Sequence, residues 1–270
     1  MSDRITEALG LKSRPFGKEI APDLLWMDNG RTEAVDRLVD TVTHRQHALV
    51  TGEPGVGKTT VLRALRHRLP QTAFSVVYIA HVTLGKRDFF RQMCIALGVA
   101  PKATPAAMFE AIQRECVHSA AERRAHTVLV LDEVQLMPDS TMSQLHVLAN
   151  FEWDSDPLLS LVFVGLPELH GKLRMGIHRS LLTRIHTKVE LSPGSPELTT
   201  AYVRHRLTDA GARTELFTTD GLAVLHEETG GLLRSIDVLA LAALRLAVAE
   251  DTKLIDRDLV RRALHHTPLA

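Results

Sequence analysis

The sequence predicts an α/β protein, with a parallel five-stranded sheet flanked by helices and a small all-α region after it. Three observations predict this. Continuous apolar runs of strand length alternate with segments of helical spacing. The first run leads directly into Gly52-Glu53-Pro54-Gly55-Val56-Gly57-Lys58-Thr59, which fits G-x-x-x-x-G-K-[ST], the P-loop pattern. Beyond Ser192-Pro193-Gly194-Ser195-Pro196, a turn-forming linker, the chain reads as helices only. The expected division is an N-terminal arm over 1–30, an α/β nucleotide-binding domain over 31–192 and a helical domain over 196–268.

Each element has its own reason. Residues 1–30 are turn-rich at Ser13-Arg14-Pro15-Phe16-Gly17 and Ala21-Pro22-Asp23, with an apolar knot at Leu24–Met27, and read as an arm packed on the core. Thr32–Thr43 is an amphipathic helix with Ala34, Val35, Leu38, Val39 and Val42 on one face. His47–Thr51 is a buried strand, and Thr60–Arg66 has helical spacing. Phe74–Ala80 is the second strand. Arg87–Leu97 is a helix ended by Gly98, and Thr104-Pro105 caps a longer one reaching about Glu122. Thr127–Leu131 is a central strand, Ser140–Asn150 a helix, Leu158–Val164 a strand, and Val189–Leu191 a short last strand. After the linker the predicted helices are Glu197–Ala210, Asp220–Thr229, Leu233–Glu250 and Asp256–His265.

Bulk properties narrow the function classes. The chain has 270 residues, 45% of them apolar, and is globular. Its 32 basic and 32 acidic residues cancel, so any nucleic-acid surface must be a local patch. Two cysteines, Cys94 and Cys116, form no paired pattern, which suggests buried thiols in a reduced compartment. No apolar stretch is long enough to span a membrane, and Met1-Ser2-Asp3-Arg4 is no signal peptide, so a cytoplasmic location is expected. The fourteen histidines suggest no metal site: His226-Glu227-Glu228-Thr229-Gly230 fails H-E-x-x-H at its fifth position.

The P-loop stands where its mechanism needs it, between a strand and a helix N-terminus. Gly52, Gly55 and Gly57 let consecutive backbone N–H groups turn inward around a phosphate, with Glu53, Pro54, Val56 and Thr60 counted in the same nucleotide site, and the helix dipole adds positive potential. Lys58 is expected to reach the β- and γ-phosphates of ATP, and Thr59 to ligate Mg²⁺. About 75 residues later, Val128-Leu129-Val130-Leu131-Asp132-Glu133 is an apolar strand ending in two acids, a Walker B pattern. Asp132 is expected to hold Mg²⁺ through water, and Glu133 to polarise the attacking water.

With both motifs in place the chain resembles an AAA+ ATPase over residues 15–268, and within that group the ExeA/GspA-like branch, close to transposition helper ATPases of the TniB, MuB and IstB type. The resemblance is carried by Pro15-Phe16, Gly52–Thr59, Leu131–Gln135, Leu148–Glu152, Val164–Leu169, Tyr202–Leu207 and Gly230–Arg234. It implies an ATP-dependent homo-oligomer, ring or filament, in which Arg184 acts as an arginine finger in trans, with Arg179 as its rival. It also implies that Arg234 touches the γ-phosphate; the alternative to a packed arm is that Pro15 and Phe16 lie beside the adenine. Such proteins carry a polar sensor where this chain has Leu166, an apolar side chain that cannot hydrogen-bond phosphate or water, so hydrolysis is expected to be slow or sensed elsewhere.

Two basic runs bear on the client. Lys172, Arg174, Arg179, Arg184 and Lys188 lie in a stretch without acids, and Lys86, Arg87 and Arg91 follow the second strand. In ring-forming relatives the second position faces the channel and contacts duplex DNA, as salt-sensitive phosphate binding would require. The first expectation is therefore a DNA-bound helper that recruits or activates a transposase, favoured by the end of the sequence at Ala270 directly after the helical region. The alternatives are a secretion ATPase acting on envelope channel assembly and a nucleotide-switch signalling ATPase.

Overall fold

A computed structural model describes residues 4–17, 19–151 and 155–267. Glu152, within one stretch of the resemblance, and Met1–Asp3 and Pro268 lie outside the described residues. The chain divides into two compact units. One holds residues 30–52 and 61–191; the other holds 1–29, 53–60 and 192–270, so the P-loop segment groups with the arm and the C-terminal helices.

The first unit is the sheet. Strands β1 (His47–Gly52), β2 (Phe74–Ile79), β3 (His126–Leu131), β4 (Leu159–Gly165) and β5 (Ile185–Leu191) run parallel in the order β2-β3-β4-β1-β5. The three inner strands are buried along their whole length, which is why they read as continuous apolar runs. Strand β5 is an edge strand that alternates buried Ile185, Val189 and Leu191 with exposed His186 and Glu190. Its polar alternation hid its first four residues from the sequence reading, which found only Val189–Leu191.

Helix α2 (Asn29–Thr43) buries the expected Ala34, Val35, Leu38 and Val42. Helix α3 (Lys58–Arg68) leaves the P-loop. Helices α4 (Lys86–Ala96) and α5 (Pro105–Glu122) bury Phe89, Phe90, Met93, Met108 and Ile112 with Leu129, Leu131 and Phe163 of the sheet. Thr104 caps α5 by accepting from Ala107 N at 3.2 Å, as its sequence suggests. Cys94 and Cys116 are free, buried thiols, and burial pushes Cys116 up to about 12.

The predicted helix Ser140–Asn150 is two short ones, α6 (Asp139–Met142) and α7 (Leu145–Leu148). Ser143 Oγ donates back to Ser140 O at 3.3 Å and competes with the helical ladder at the break. Two further short helices, α8 (Leu169–Leu173) and α9 (Arg179–Leu182), precede β5.

The second unit holds a helix that the sequence reading did not find, α1 (Arg4–Leu9), with α10 (Pro196–Asp209), α11 (Thr219–Thr229), α12 (Leu233–Ala249) and α13 (Arg257–His265). Ser195, Thr218 and Asp256 cap α10, α11 and α13 through Leu198 N, Gly221 N and Leu259 N. The arm packs into this helical core through Ile5, Leu11 and Phe16. The Arg206 guanidinium lies 5.7 Å from the Phe16 ring centre and donates to Gly17 O at 2.8 Å, and Trp26 meets Tyr202 edge-on at 5.1 Å. Phe16 is therefore a core residue of the helical unit, 5% exposed. No helix among the described residues is long and apolar enough to cross a membrane.

Candidate functional site

The P-loop continues from the carboxyl end of β1 into the first turn of α3, as the strand–loop–helix pattern requires. Gly55 and Gly57 sit at φ +81° and +109°, values only glycine takes without strain. Val56 is fully buried and anchors the loop, and Val56 N donates to Glu53 O at 3.3 Å. Lys58 is 8% exposed, and its Nζ donates to Glu53 O across the loop at 3.2 Å. Glu53, Pro54 and Thr59 are exposed, while Gly55, Gly57 and Thr60 are half-buried. Backbone donors, a buried cation and an exposed hydroxyl are the groups that ATP and Mg²⁺ need here, so the residues fit both.

The same unit brings Arg234 to this loop. Arg234 N, in the first turn of α12, donates to Gly55 O at 3.2 Å. A Cβ on Gly55 would lie 2.8 Å from Arg234 Cβ, so the loop and the helix start approach as closely as they do because Gly55 has no side chain. The turn before α12 is held in its own way: Gly194 N donates to Gly231 O at 3.0 Å, and a Cβ on Gly231 would strike Gly194 O at 2.1 Å. The linker is thus docked on the helical unit. The Arg234 side chain is exposed.

In the sheet unit, Asp132 and Glu133 emerge at the carboxyl end of β3. Both Asp132 oxygens accept: Oδ1 from Glu133 N at 2.9 Å and Oδ2 from the Tyr78 hydroxyl of neighbouring β2. Partial burial, then this hydrogen bond and the two carboxylates, raise the Tyr78 pKa, so the phenol stays a donor. Glu133 takes a left-handed conformation, φ +53°. Its Oε2 accepts from Gln135 Nε2 at 2.6 Å, while Gln135 Oε1 accepts from Leu166 N, just past β4, at 3.2 Å. At the end of β1, Thr51 Oγ1 and His170 Nε2 share a hydrogen bond of 3.0 Å.

Other predicted residues stand apart. Arg184 immediately precedes β5, whose first residue is level with His47 at the start of β1. The length of a six-residue strand, roughly 15–20 Å, separates that end of the sheet from the carboxyl edge. The structure therefore does not bring Arg184 to the acids of its own chain. Lys86, Arg87 and Arg91 are exposed on α4. The other basic run is not one solvated surface. Lys172 Nζ donates to Gln135 O at 3.0 Å and to Met137 O, and Asp139 accepts from buried His178 at 3.0 Å. The His178 bond, with Lys172 3.7 Å away, lowers the Asp139 pKa.

Sequence reasoning gave no role to Tyr78, Gln135 or His170, and read Lys172 only as part of a basic run. For Gln135 a signal existed, a polar residue two positions after the acid pair, but its partners come from β4 and α8, far along the chain.

Known proteins resemble this chain over most of its length. The AAA domain family matches residues 40–173. General secretion pathway protein A of Aeromonas hydrophila is 34% identical over 258 residues, 94% of this chain; the chain spans about half, 47%, of that relative's length. Among solved structures, Cdc6p of Pyrobaculum aerophilum superposes with a TM-score of 0.72 at 19% identity, covering 94% of this chain and 71% of that one. The ORC2 protein of Aeropyrum pernix, in its ADPNP–ADP complexes, gives 0.71 at 16% identity with 94% and 72% covered. Drosophila ORC bound to DNA gives 0.69 at 19% with 97% and 65% covered. With its P-loop, its acid pair at the sheet edge and its helical C-terminal region, the chain belongs to the AAA family of ATPases and has a general secretion pathway protein A as a homologue.

Proposed function

We propose that this chain binds ATP with Mg²⁺ at its P-loop and hydrolyses it with Glu133 as the base that polarises the attacking water. The observation that carries this is the Glu133 carboxylate, exposed at the sheet edge with one oxygen tied to Gln135 and the other without a hydrogen-bond donor among the described residues. Lys58 and the loop amides would hold the phosphates, and Thr59 and Asp132 would hold Mg²⁺. When bound, the ion neutralises charge on the β- and γ-phosphates. Arg234 starts a helix docked on the loop itself, which supports its reading as the residue that meets the γ-phosphate. Arg184, remote from its own acids, fits a finger that works on a neighbouring copy in an ATP-dependent homo-oligomer.

For the client, similarity over 94% of the chain to a secretion-pathway protein supports the ExeA/GspA-like reading, action on assembly of an envelope secretion channel from the cytoplasmic side. A second reading, a DNA-bound helper of a transposase, is favoured by Lys86, Arg87 and Arg91, three exposed cations in the first half of α4. Duplex DNA binding with ATP, with ADP and without nucleotide, across a salt series, separates them. ATP-dependent assembly on DNA that weakens steeply with salt, and is lost in Lys86→Ala/Arg87→Ala/Arg91→Ala, supports the helper. ATP binding with DNA ignored in every state supports the secretion reading. ATP hydrolysis lost in Glu133→Gln with ATP binding retained tests the enzymatic part shared by both.

A further inference from the structure

We propose that Gln135 is the positioning residue of the site: it orients the Glu133 carboxylate and ties it to the end of β4, the polar task that Leu166 cannot perform. This rests on reading Glu133 as the catalytic base. Four observations converge on it. Both ends of the Gln135 carboxamide are engaged, Nε2 with Glu133 Oε2 at 2.6 Å and Oε1 with Leu166 N at 3.2 Å. The orientation is fixed by chemistry, because the reverse would set an oxygen against a carboxylate and an NH₂ against an N–H. Glu133 itself is in a left-handed conformation at φ +53°, so its carboxylate is aimed by its surroundings rather than by a relaxed backbone.

The third observation is the space around the amide. A Cβ on Gly165 would lie 2.6 Å from Gln135 Oε1 and 2.9 Å from Leu169 Cδ2. Glycine at 165 therefore leaves the room that the carboxamide occupies. The fourth is the support behind it. Lys172 Nζ donates to Gln135 O at 3.0 Å and to Met137 O and lies 3.7 Å from Asp139, whose other partner is buried His178. The turn carrying Gln135 is thus fastened to α8 and to the segment before α9 by a cation and a histidine. Sequence position 166 lacks a polar side chain, but its backbone N–H delivers the same end of β4 to the base through Gln135.

The test uses the full chain. Gln135→Leu, which keeps the side-chain bulk and removes both hydrogen bonds, is expected to lower kcat about 10- to 100-fold, the usual cost of losing a group that orients a reactive one. KM and the ATP dissociation constant should stay at the wild-type values. Without nucleotide, the Leu166 amide should exchange its hydrogen about fivefold faster or more, as expected for one lost hydrogen bond, while the amides of Val162–Val164 keep theirs. Gly165→Ala should reproduce the kcat loss by displacing the carboxamide, and should add less in a Gln135→Ala background, where only the contact with Leu169 remains.

Wild-type kcat in Gln135→Leu, with turnover abolished in Glu133→Gln, overturns the role of Gln135 and leaves the ATPase reading standing. A fall in ATP affinity that matches the fall in kcat also overturns it, since a collapsed site lowers both. A wild-type chain that binds ATP without any turnover overturns Glu133 as base and the role of Gln135 with it.

Discussion

Gly55→Ala tests the docking of the P-loop on the start of α12. The substitution adds one carbon in a position that is doubly unfavourable. At φ +81° a side-chain carbon costs about 1–2 kcal/mol in backbone strain. The same carbon would stand 2.8 Å from Arg234 Cβ, an overpacked contact that costs about 1–3 kcal/mol more. The sum is about 2–5 kcal/mol. Gly230→Ala is the control: φ is +57°, but nothing lies within 4 Å of its added carbon, so only the strain of about 1–2 kcal/mol applies. Equilibrium denaturation of the two variants should differ by the steric part. A cycle with Arg234→Gly, which removes the carbon being struck, should recover about 1–3 kcal/mol as coupling. The intrinsic cost of glycine at the helix start cancels in that cycle. Relief of the contact has to move the loop or the helix, so ATP affinity should fall by about tenfold or more in Gly55→Ala, and less in Gly230→Ala. If Gly55→Ala and Gly230→Ala are equally stable and the cycle shows no coupling, the loop is not seated on α12 as described.

Three further outcomes follow from the site and the core. Lys58→Ala should abolish tight ATP binding, seen by calorimetry, and retained micromolar affinity would remove the P-loop assignment. Arg184→Ala should lower turnover by about a thousandfold while leaving ATP binding intact, and mixing it with Lys58→Ala subunits should restore part of the activity, because each defect would sit on a different side of the shared site. No recovery at any ratio counts against a finger acting between subunits. His126, buried with its Nε2 2.8 Å from Ser160 Oγ, is pushed down to about 4, first by burial and then by the charges of Arg45 and His47. The unfolded chain then takes up its proton first as pH falls, so this contribution to stability is full above about pH 6.5 and is lost on descending towards pH 4. Denaturation of wild type relative to His126→Gln should show the difference shrinking by up to about 3 kcal/mol over that window. A difference independent of pH would show that His126 is accessible to protons in the folded state.

Much of the fold was legible because it is written locally. Buried inner strands must be apolar at every position, so β1, β3 and β4 stand out as runs, and the P-loop pattern places the first of them. Caps such as Thr104 and the linker at Ser192–Pro196 are signals confined to a few residues. What escaped depends on distant partners. Edge strand β5 is half polar, and α1 is a six-residue helix whose Ile5 counts only once the helical core is there to receive it. The break between α6 and α7 rests on one serine side chain bonding its own backbone. At the site, the residue types at 52–59 and 132–133 declare themselves. The contacts that aim them do not, since Tyr78 reaches Asp132 from β2, Gln135 is held from β4, and Arg234 meets Gly55 from nearly 180 positions away in the chain.

We propose that the P-loop and the acid pair serve one nucleotide with its metal. ATP affinity measured with and without Mg²⁺, for wild type and for Asp132→Ala, tests it most directly. Mg²⁺ should tighten ATP binding to the wild type, and Asp132→Ala should keep the metal-free affinity while losing the gain. Equal tightening by Mg²⁺ in both proteins would contradict it, because Asp132 would then have no part in holding the ion at the phosphates.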